Sequence, residues 1–195
     1  MSKKMERVIG NSLEGVVLQI LEEVRCVFAK IKYEEVDSLV DLIVNANRVF
    51  VHGAGRVGIV SRAFAMRLMH LGKLTFWIAD DTTPGIGPGD LLLVNSGSGN
   101  SECSLSIAVQ AKKAGAEIAT ITANMKGKIA GLSDATILLP GKTFKIERYE
   151  CISMLPMGSQ FELCLWIIQD ILSLLLMEKT GIVESDMIGR HRNLE

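Results

Sequence analysis

Residues 49–58 read VFVHGAGRVG, and this stretch decides the fold class of the chain. The apolar run Val49–His52 predicts a short buried strand, and the glycine loop GAGRVG at 53–58 follows it and opens a helix. A buried strand that leads through glycines into a helix is typical of the units that build parallel α/β sheets. We therefore expect an α/β fold in which this segment supplies a strand of the sheet and the start of the helix after it.

The alternation of strand and helix continues from Arg48 to about residue 140. Short apolar strands that alternate with helices indicate a parallel sheet covered by helices on both faces. The predicted strands are Val49–His52, Leu74–Ile78, Leu91–Asn95, Ile118–Thr122 and Ala135–Leu139. The predicted helices between them are Gly58–Leu71 and Ser101–Ala114, with a short piece near Ile129–Leu132.

Helices are also predicted before the first strand. Apolar residues recur at the three-and-four spacing of one helical face over 13–31 and again over 36–46. Residues 1–47 are therefore predicted to form a helical extension, which precedes the sheet and packs on something else.

The chain after the sheet reads as a loop over 142–155, a long closing helix over 158–179 and a polar tail over 185–195. The apolar part of the closing helix, Leu163–Met177, is too short to span a bilayer and is interrupted by polar residues, so we predict a buried helix and no membrane partner. The single predicted domain, 1–195, is divided into 1–47, 48–140, 156–180 and 181–195.

The composition, net charge and cysteine spacing bear on the partners, the location and the metal sites that the chain can have. The 195 residues are 48% hydrophobic and 22% charged, an ordinary balance for one globular domain. The net charge of -1, without a run of Lys or Arg, argues against nucleic acid as the main partner. The first residues, MSKK, precede no apolar stretch, so no signal peptide is predicted and a cytoplasmic location is expected. The four cysteines lie far apart without a CxxC pair, which predicts free thiols and argues against a zinc site.

The first glycine loop, GAGRVG, fits more than one function. It matches the GxGxxG pattern of dinucleotide-binding proteins, and Asp80 and Asp81 follow the second predicted strand. The same loop could bind a phosphate monoester at the helix N-terminus, or could be a tight turn with close helix–strand packing. A cationic side chain within the loop favours a monoester or a polyol over a dinucleotide. The candidate ligand-binding residues of this loop are Gly53, Gly55 and Arg56.

A second loop, SGSGNS at 96–101, follows the third predicted strand and again opens a helix. Serine hydroxyls and backbone N–H groups at a helix N-terminus can all donate to one phosphate. A helix cap would need only one of the three serines. The candidate phosphate-binding residues are Ser96, Gly97, Ser98, Gly99 and Ser101. Two such loops at the ends of two strands predict one crevice at a topological switch point.

Six motifs, in the same order, make the chain resemble the 6-phospho-3-hexuloisomerases of the SIS (sugar isomerase) type. They are GAGRVG, AFAMRLMHLG at 63–72, TTP at 82–84, SGSGNS, PMGSQFE at 156–162 and RHRNLE at 190–195. The resemblance implies a single SIS domain, which is a three-layer α/β/α sandwich of flavodoxin-like form with a five-stranded parallel sheet. It also implies a homotetramer with active sites shared between subunits, and neither cofactor nor metal. The implied reaction interconverts D-arabino-3-hexulose 6-phosphate and fructose 6-phosphate.

The chain departs from the family pattern near the expected crevice. Val57 stands where the family often has Ser, and Ala79-Asp80 replaces a usual Gly-Glu. Asp81 also stands in place of a Thr or Leu. These departures bear on the exact sugar more than on the type of reaction.

Shifting a ketone between neighbouring carbons requires a base and proceeds through an enediol. Glu162, in the first turn of the closing helix, is the first candidate for the base, although an acid there could simply complement the helix dipole. The resemblance favours the interpretation of Glu162 as the base. His191 is the second candidate, because the family ending keeps it, although a histidine in a polar tail is commonly inert. His52 could line the crevice or be structural, and His70 lies near a helix end where a cation is favourable.

Two other function classes remain open from the residues alone. A non-catalytic SIS module that senses a sugar phosphate would share the phosphate loop, but the chain lacks a basic helix-turn-helix segment and keeps Glu162 and His191. A nucleotide-binding protein is favoured only by GxGxxG and is contradicted by the serine-rich second loop.

Overall fold

Five strands form one parallel sheet in the order β2-β1-β3-β4-β5, so the predicted parallel sheet is confirmed. The computed structural model describes residues 12–146 and 150–194. The strands are β1 (Val49–Gly53), β2 (Thr75–Trp77), β3 (Leu91–Asn95), β4 (Glu117–Thr122) and β5 (Ala135–Leu138). β3 begins and ends at the predicted residues, because a central strand buried on both faces reads as an uninterrupted apolar run.

Helices cover both faces of this sheet. They are α1 (Leu13–Phe28), α2 (Tyr33–Asn45), α3 (Gly55–His70), α4 (Glu102–Lys113), α5 (Ser159–Thr180) and α6 (Glu184–Gly189), with a 3₁₀ turn at Ala130–Leu132. Alternate residues of β3 enter different cores: Leu91 and Leu93 pack with α2, α3 and α5, whereas Leu92 and Val94 pack with α4. The predicted three-layer α/β/α sandwich is therefore confirmed.

Both N-terminal helices pack on this same domain, so the expectation of packing on something else is wrong for α2, whereas α1 also keeps an exposed apolar face. Val36, Leu39 and Ile43 of α2 are buried in the core, and the Glu35 carboxylate accepts a 2.8 Å hydrogen bond from the backbone N–H of Leu138 in β5. α1 packs on α5. The order of elements concealed this arrangement, because α2 covers the strand that comes last in the sequence.

α5 is buried along one side. Phe161, Leu165 and Leu172 are fully covered by the sheet and its helices, which confirms the predicted core helix, while Trp166 and Leu174 remain exposed. Among the described residues, α5 is the one helix whose length and composition would allow it to cross a membrane, and half of its most apolar stretch is buried in the protein. A core helix of a globular domain meets the same criteria.

The chain after α5 contains a further short helix, and the expectation of four free cysteines is wrong. Glu184–Gly189, at the start of the predicted polar tail, form α6, in which the Asp186 carboxylate accepts from the N–H of Val183 at 3.0 Å and Met187 packs on the core. Cys26 of α1 and Cys151 of the loop before α5 form a disulfide instead of two free thiols. Their Cα atoms lie 6.1 Å apart although 125 residues separate them, a proximity that sequence spacing could not reveal. Cys103 and Cys164 are free, and burial raises the pKa of Cys164 to about 12.

Candidate active site

The two glycine loops meet where the strand order reverses. β1 and β3 are neighbours in the sheet, and Gly53 at the end of β1 pairs with Asn95 at the end of β3. The chain leaves β1 toward β2 on one side and leaves β3 toward β4 on the other. Such a switch point opens a crevice beyond the carboxyl ends of the strands, and the predicted crevice lies there.

The glycines of the first loop serve mainly to pack α3 against β1. A Cβ added to Gly58 would lie 2.5 Å from the carbonyl oxygen of Gly53, a distance that no real side chain tolerates. Gly55 has a φ of +60°, in the left-handed region that favours glycine. Of this loop, Ala54 and Val57 line the crevice, whereas Gly53 and Gly55 do not.

The acids that the dinucleotide interpretation requires are placed elsewhere. The Asp80 carboxylate lies 3.1 Å from a guanidinium nitrogen of Arg62, and both side chains are largely exposed to solvent. Because the glycine spacing is explained by helix–strand packing, nothing further in this loop favours a dinucleotide.

The serine hydroxyls of the second loop are left able to donate. In the described part of the chain, the hydroxyls of Ser96, Ser98 and Ser101 donate no hydrogen bond, and Ser101 does not use its side chain to cap α4. The loop backbone is held instead by β4 and its following turn: Gly97 O accepts from Ala123 N at 3.1 Å, and the Asn124 amide donates to Ser98 O at 3.0 Å. Ser98 Oγ accepts a 3.3 Å hydrogen bond from the backbone N–H of Asn100, so the loop uses one oxygen but none of the three hydroxyl protons. Three hydroxyls that donate to nothing at the N-terminus of a 12-residue helix exceed what a cap requires.

These hydroxyls open onto a cleft of about 190 Å³, which we call the serine cleft. Its walls are the ends of the first and second loops, the loop after β5 and the start of α5. The lining residues are Ala54, Val57, Asn95, Ser96, Gly97, Ser98, Ser101, Ser104, Thr143, Phe144, Lys145, Gly158, Phe161 and Glu162. Of the predicted site residues, the structure thus brings Glu162 together with Ser96, Gly97, Ser98 and Ser101.

Glu162 stands at the edge of the serine cleft in the first turn of α5. Its side chain is 14% exposed, and its Oε2 accepts a 2.6 Å hydrogen bond from Nε of Arg56. This ion pair raises the pKa of Arg56 above its usual value. Arg56 does not line the serine cleft but a neighbouring groove of about 400 Å³, where it lies with Ile59 and Trp166. Glu162 lines both cavities.

His191 lies away from the serine cleft of its own chain. Its ring stacks on His70 with ring centroids 5.4 Å apart, at the C-terminal end of α3. Burial, together with the charges of Arg67 and His191, lowers the pKa of His70. Arg56 and Glu162 meet at the other end of α3, a helix of 16 residues and thus roughly 24 Å long. Glu162 and His191 of one chain therefore cannot contact the same small molecule.

Several residues of the serine cleft were not predicted from the sequence, and two of them are polar and buried. Asn95 and Thr143 are buried, and neither Asn95 Oδ1 nor Thr143 Oγ1 finds a hydrogen-bond partner among the described residues. Asn95 could have been noticed as the polar last residue of an apolar strand. Thr143 carried no such signal, because it belongs to a loop without periodicity. His52 is buried beneath the cleft, with Nε2 lying 3.1 Å from the hydroxyl of Ser104.

No group of three or more His, Cys, Asp or Glu side chains that could hold a metal ion occurs among residues 12–146 and 150–194. The polar groups of the serine cleft are hydroxyls, amides, one lysine and one carboxylate, which suit a phosphorylated polyol.

Known proteins resemble this chain in sequence and in fold. Residues 42–147 match the SIS domain family. The chain is 40% identical to the 3-hexulose-6-phosphate isomerase of Mycobacterium gastri, over 97% of this chain and 94% of that protein. It is 36% identical to the 3-hexulose-6-phosphate isomerase of Bacillus subtilis, over 92% of this chain and 97% of that protein.

A solved structure from Methanococcus jannaschii, described as a hypothetical protein with an inferred molecular function of 3-hexulose-6-phosphate isomerase, also matches. Its TM-score is 0.80 at 34% identity, and the match covers 94% of this chain and all of that one. The chain belongs to the SIS domain family, in the branch of the proteins named 3-hexulose-6-phosphate isomerase.

Proposed function

We propose that this chain is a sugar-phosphate isomerase that interconverts D-arabino-3-hexulose 6-phosphate and fructose 6-phosphate. The names of its relatives at 36–40% identity support the reaction. The observation that carries it here is the serine cleft, where three hydroxyls that donate no hydrogen bond in the described structure lie at a helix N-terminus, in the same cavity as the carboxylate of Glu162. One end of the cavity is suited to a phosphate and the other to proton transfer.

The phosphate is bound by the second loop. Hydroxyls of Ser96, Ser98 and Ser101 donate to its oxygens, and the N-terminus of α4 adds the favourable field of the helix dipole. Each such hydrogen bond to a charged group is worth about 1.5–3 kcal/mol. Lys145, which lines the same cleft, adds a positive charge. The phosphate thereby fixes the sugar relative to Glu162.

Glu162 acts as the base. In the 3-ketose, the carboxylate removes the proton from carbon 2, and the electrons of that bond form the enediol while the carbonyl oxygen on carbon 3 gains a proton. Return of a proton to carbon 3, with loss of the proton on the carbon 2 hydroxyl, leaves the 2-ketose. Since carbons 2 and 3 are adjacent, one carboxylate can serve both steps.

We further propose a homotetramer in which His191 completes the active site of another subunit. Within one chain, His191 and Glu162 lie at opposite ends of α3, so a joint role requires a second copy. Two separate apolar faces are exposed, one on α1 and one on α3 and α5. The first includes Leu13, Leu18 and Leu21, and the second includes Ile59, Met66, Trp166 and Leu174. Two different self-complementary faces generate a tetramer of D2 symmetry. Sedimentation at micromolar protein concentration measures the mass of the assembly and so tests the number of subunits.

A cytoplasmic location is part of the proposal, because doubly charged sugar phosphates do not cross a membrane unaided.

The reaction is tested by proton exchange in deuterated water with a panel of ketose 6-phosphates. Fructose 6-phosphate should exchange a carbon-bound proton with solvent, and the 3-hexulose should appear. A folded, oligomeric protein that exchanges no proton from any member of the panel would contradict the proposal.

A further inference from the structure

The side chain of Glu162 has one polar partner among the described residues, and it is Arg56. The two residues lie 106 positions apart in the sequence, each in the first turn of its helix, α3 and α5. Nε of Arg56 donates to Oε2 of Glu162 at 2.6 Å, although the Arg56 side chain is 73% exposed and could extend freely into water. An exposed arginine held at this distance indicates that the bond favours one orientation of the Arg56 side chain. The same bond then fixes the orientation of the Glu162 carboxylate.

The two members of the ion pair line different cavities: Glu162 lines both the serine cleft and the neighbouring groove, and Arg56 lines only the groove. Arg56 lines the groove that contains Ile59, Leu163 and Trp166, and it is not among the residues that line the serine cleft. A phosphate bound at Ser96 and Ser98 would therefore share its cleft with Glu162, whereas the Arg56 side chain lines the neighbouring groove. The position suits a cation that acts on the carboxylate better than one that binds the phosphate.

The hydrogen bond also distinguishes the two carboxylate oxygens. Oε2 is occupied by Arg56, whereas Oε1 lies on the side of Gly158, 3.6 Å from the position that a Cβ on that residue would take. Gly158 lines the serine cleft. Oε1 is thus the oxygen left free to receive a proton, and its direction is set by the bond that holds Oε2.

We infer that Arg56 is a positioning residue, which holds Oε2 of Glu162 and thereby presents Oε1 to the carbon-bound proton of the sugar. The inference rests on the proposed function, in which Glu162 is the base. Arg56 stabilises the reactive orientation and contributes little to the affinity for the substrate. A displacement of about 1 Å from the productive geometry can cost on the order of 100-fold in rate.

A double-mutant cycle tests this role, with proton exchange in deuterated water and the Kd of fructose 6-phosphate as separate readouts. Arg56→Gln should lower the exchange rate by about 10- to 100-fold and change the Kd by less than about threefold. Arg56→Lys, which keeps the charge but offers a single ammonium group, should recover part of the rate. In a Glu162→Gln background, Arg56→Gln should lower the rate no further, because residues that act as a unit are not additive.

Arg62→Gln is the matched control, since Arg62 is a second exposed, ion-paired arginine on α3 and contacts Asp80 instead of Glu162. It should leave exchange unchanged. An Arg56→Gln variant that weakens fructose 6-phosphate binding tenfold or more in both backgrounds would make Arg56 a substrate ligand and overturn the inference. So would an equal loss of rate with and without Glu162. If Glu162→Gln alone retained full exchange, the base assignment itself would fail, and the inference with it.

Discussion

The first and second glycine loops look alike in sequence but use their residues differently. Both connect a buried strand to a helix at the same edge of the sheet. In GAGRVG the glycines Gly53 and Gly58 lie against each other and let α3 pack on β1. In SGSGNS the backbone is bound to β4 and its following turn, and the three serine hydroxyls donate no hydrogen bond among the described residues. Glycine spacing therefore indicates backbone packing, whereas hydroxyls that donate to no protein group indicate a ligand.

The comparison is tested most severely at the second loop. Ser96→Ala combined with Ser98→Ala should weaken the binding of fructose 6-phosphate by about 3–6 kcal/mol, since two hydrogen bonds to a charged group are lost. Titration calorimetry measures the loss. The thermal unfolding temperature should hardly change, because neither hydroxyl donates within the described structure and the one bond that Ser98 Oγ accepts, from Asn100 N–H at 3.3 Å, is exposed to water. Unchanged affinity in the folded double variant would remove the phosphate from this loop.

Glu162→Gln separates chemistry from binding. The rate of proton exchange should fall by about 100- to 10,000-fold, which is a barrier increase of about 2.7–5.4 kcal/mol, because the base is lost. The Kd of fructose 6-phosphate should change little, since the serine hydroxyls are untouched. Glu34→Gln is a suitable control, because Glu34 is an exposed acid in the first turn of α2 and tests the helix-dipole explanation alone. Exchange at the wild-type rate in Glu162→Gln would leave His191 as the next candidate.

Gly58→Ala tests the packing role of the first loop. The added Cβ would overlap the Gly53 carbonyl oxygen at 2.5 Å, and a backbone atom cannot move aside cheaply. Overpacking of this kind costs about 1–3 kcal/mol of folding free energy, measurable by denaturant unfolding. Gly131→Ala is the control, because nothing lies within 4 Å of a Cβ at that position. If Gly58→Ala kept full stability but lost substrate affinity, the first loop would be a ligand loop after all.

Local patterns predicted the fold well and the site in part. β3 was predicted residue by residue, because burial on both faces leaves an apolar run with a sharp end at Asn95. The serine loop was predictable from its chemistry and its place between a strand and a helix. The packing of α2 was not, because the element that it covers, β5, lies some 90 residues further along the chain.

The missing parts of the site have a common physical cause. Thr143 and Lys145 reach the serine cleft from a loop that has no periodic pattern, so only the three-dimensional path of the chain reveals them. The Cys26–Cys151 disulfide was hidden in the same way, by a separation of 125 residues. The partner of His191 at a cleft would be a second copy of the chain, and no property of a single sequence position reports such a neighbour.

The smallest expected effect concerns His52, which lies between the first and second glycine loops. It lies in β1 just before the first loop, and its Nε2 lies 3.1 Å from the hydroxyl of Ser104, in the first turn of the helix that follows the second loop. Burial lowers the pKa of His52 below its ordinary value of about 6.5. The unfolded chain therefore binds a proton more readily than the folded one. Stability should be complete above about pH 6.5 and should fall as the pH drops below it, by at most about 1.4 kcal/mol per pH unit for one proton.

His52→Gln isolates this contribution from that of His70, whose pKa is also lowered. The Gln amide can still reach the hydroxyl of Ser104 but does not titrate in this range. Urea unfolding between pH 7.5 and pH 5 should therefore show a smaller loss of stability in the variant than in the unsubstituted chain. An identical slope in both proteins would mean that His52 is protonated equally in the folded and unfolded states. The region between the two loops would then be open enough to hydrate a charge, and the buried contact between them would not hold in solution.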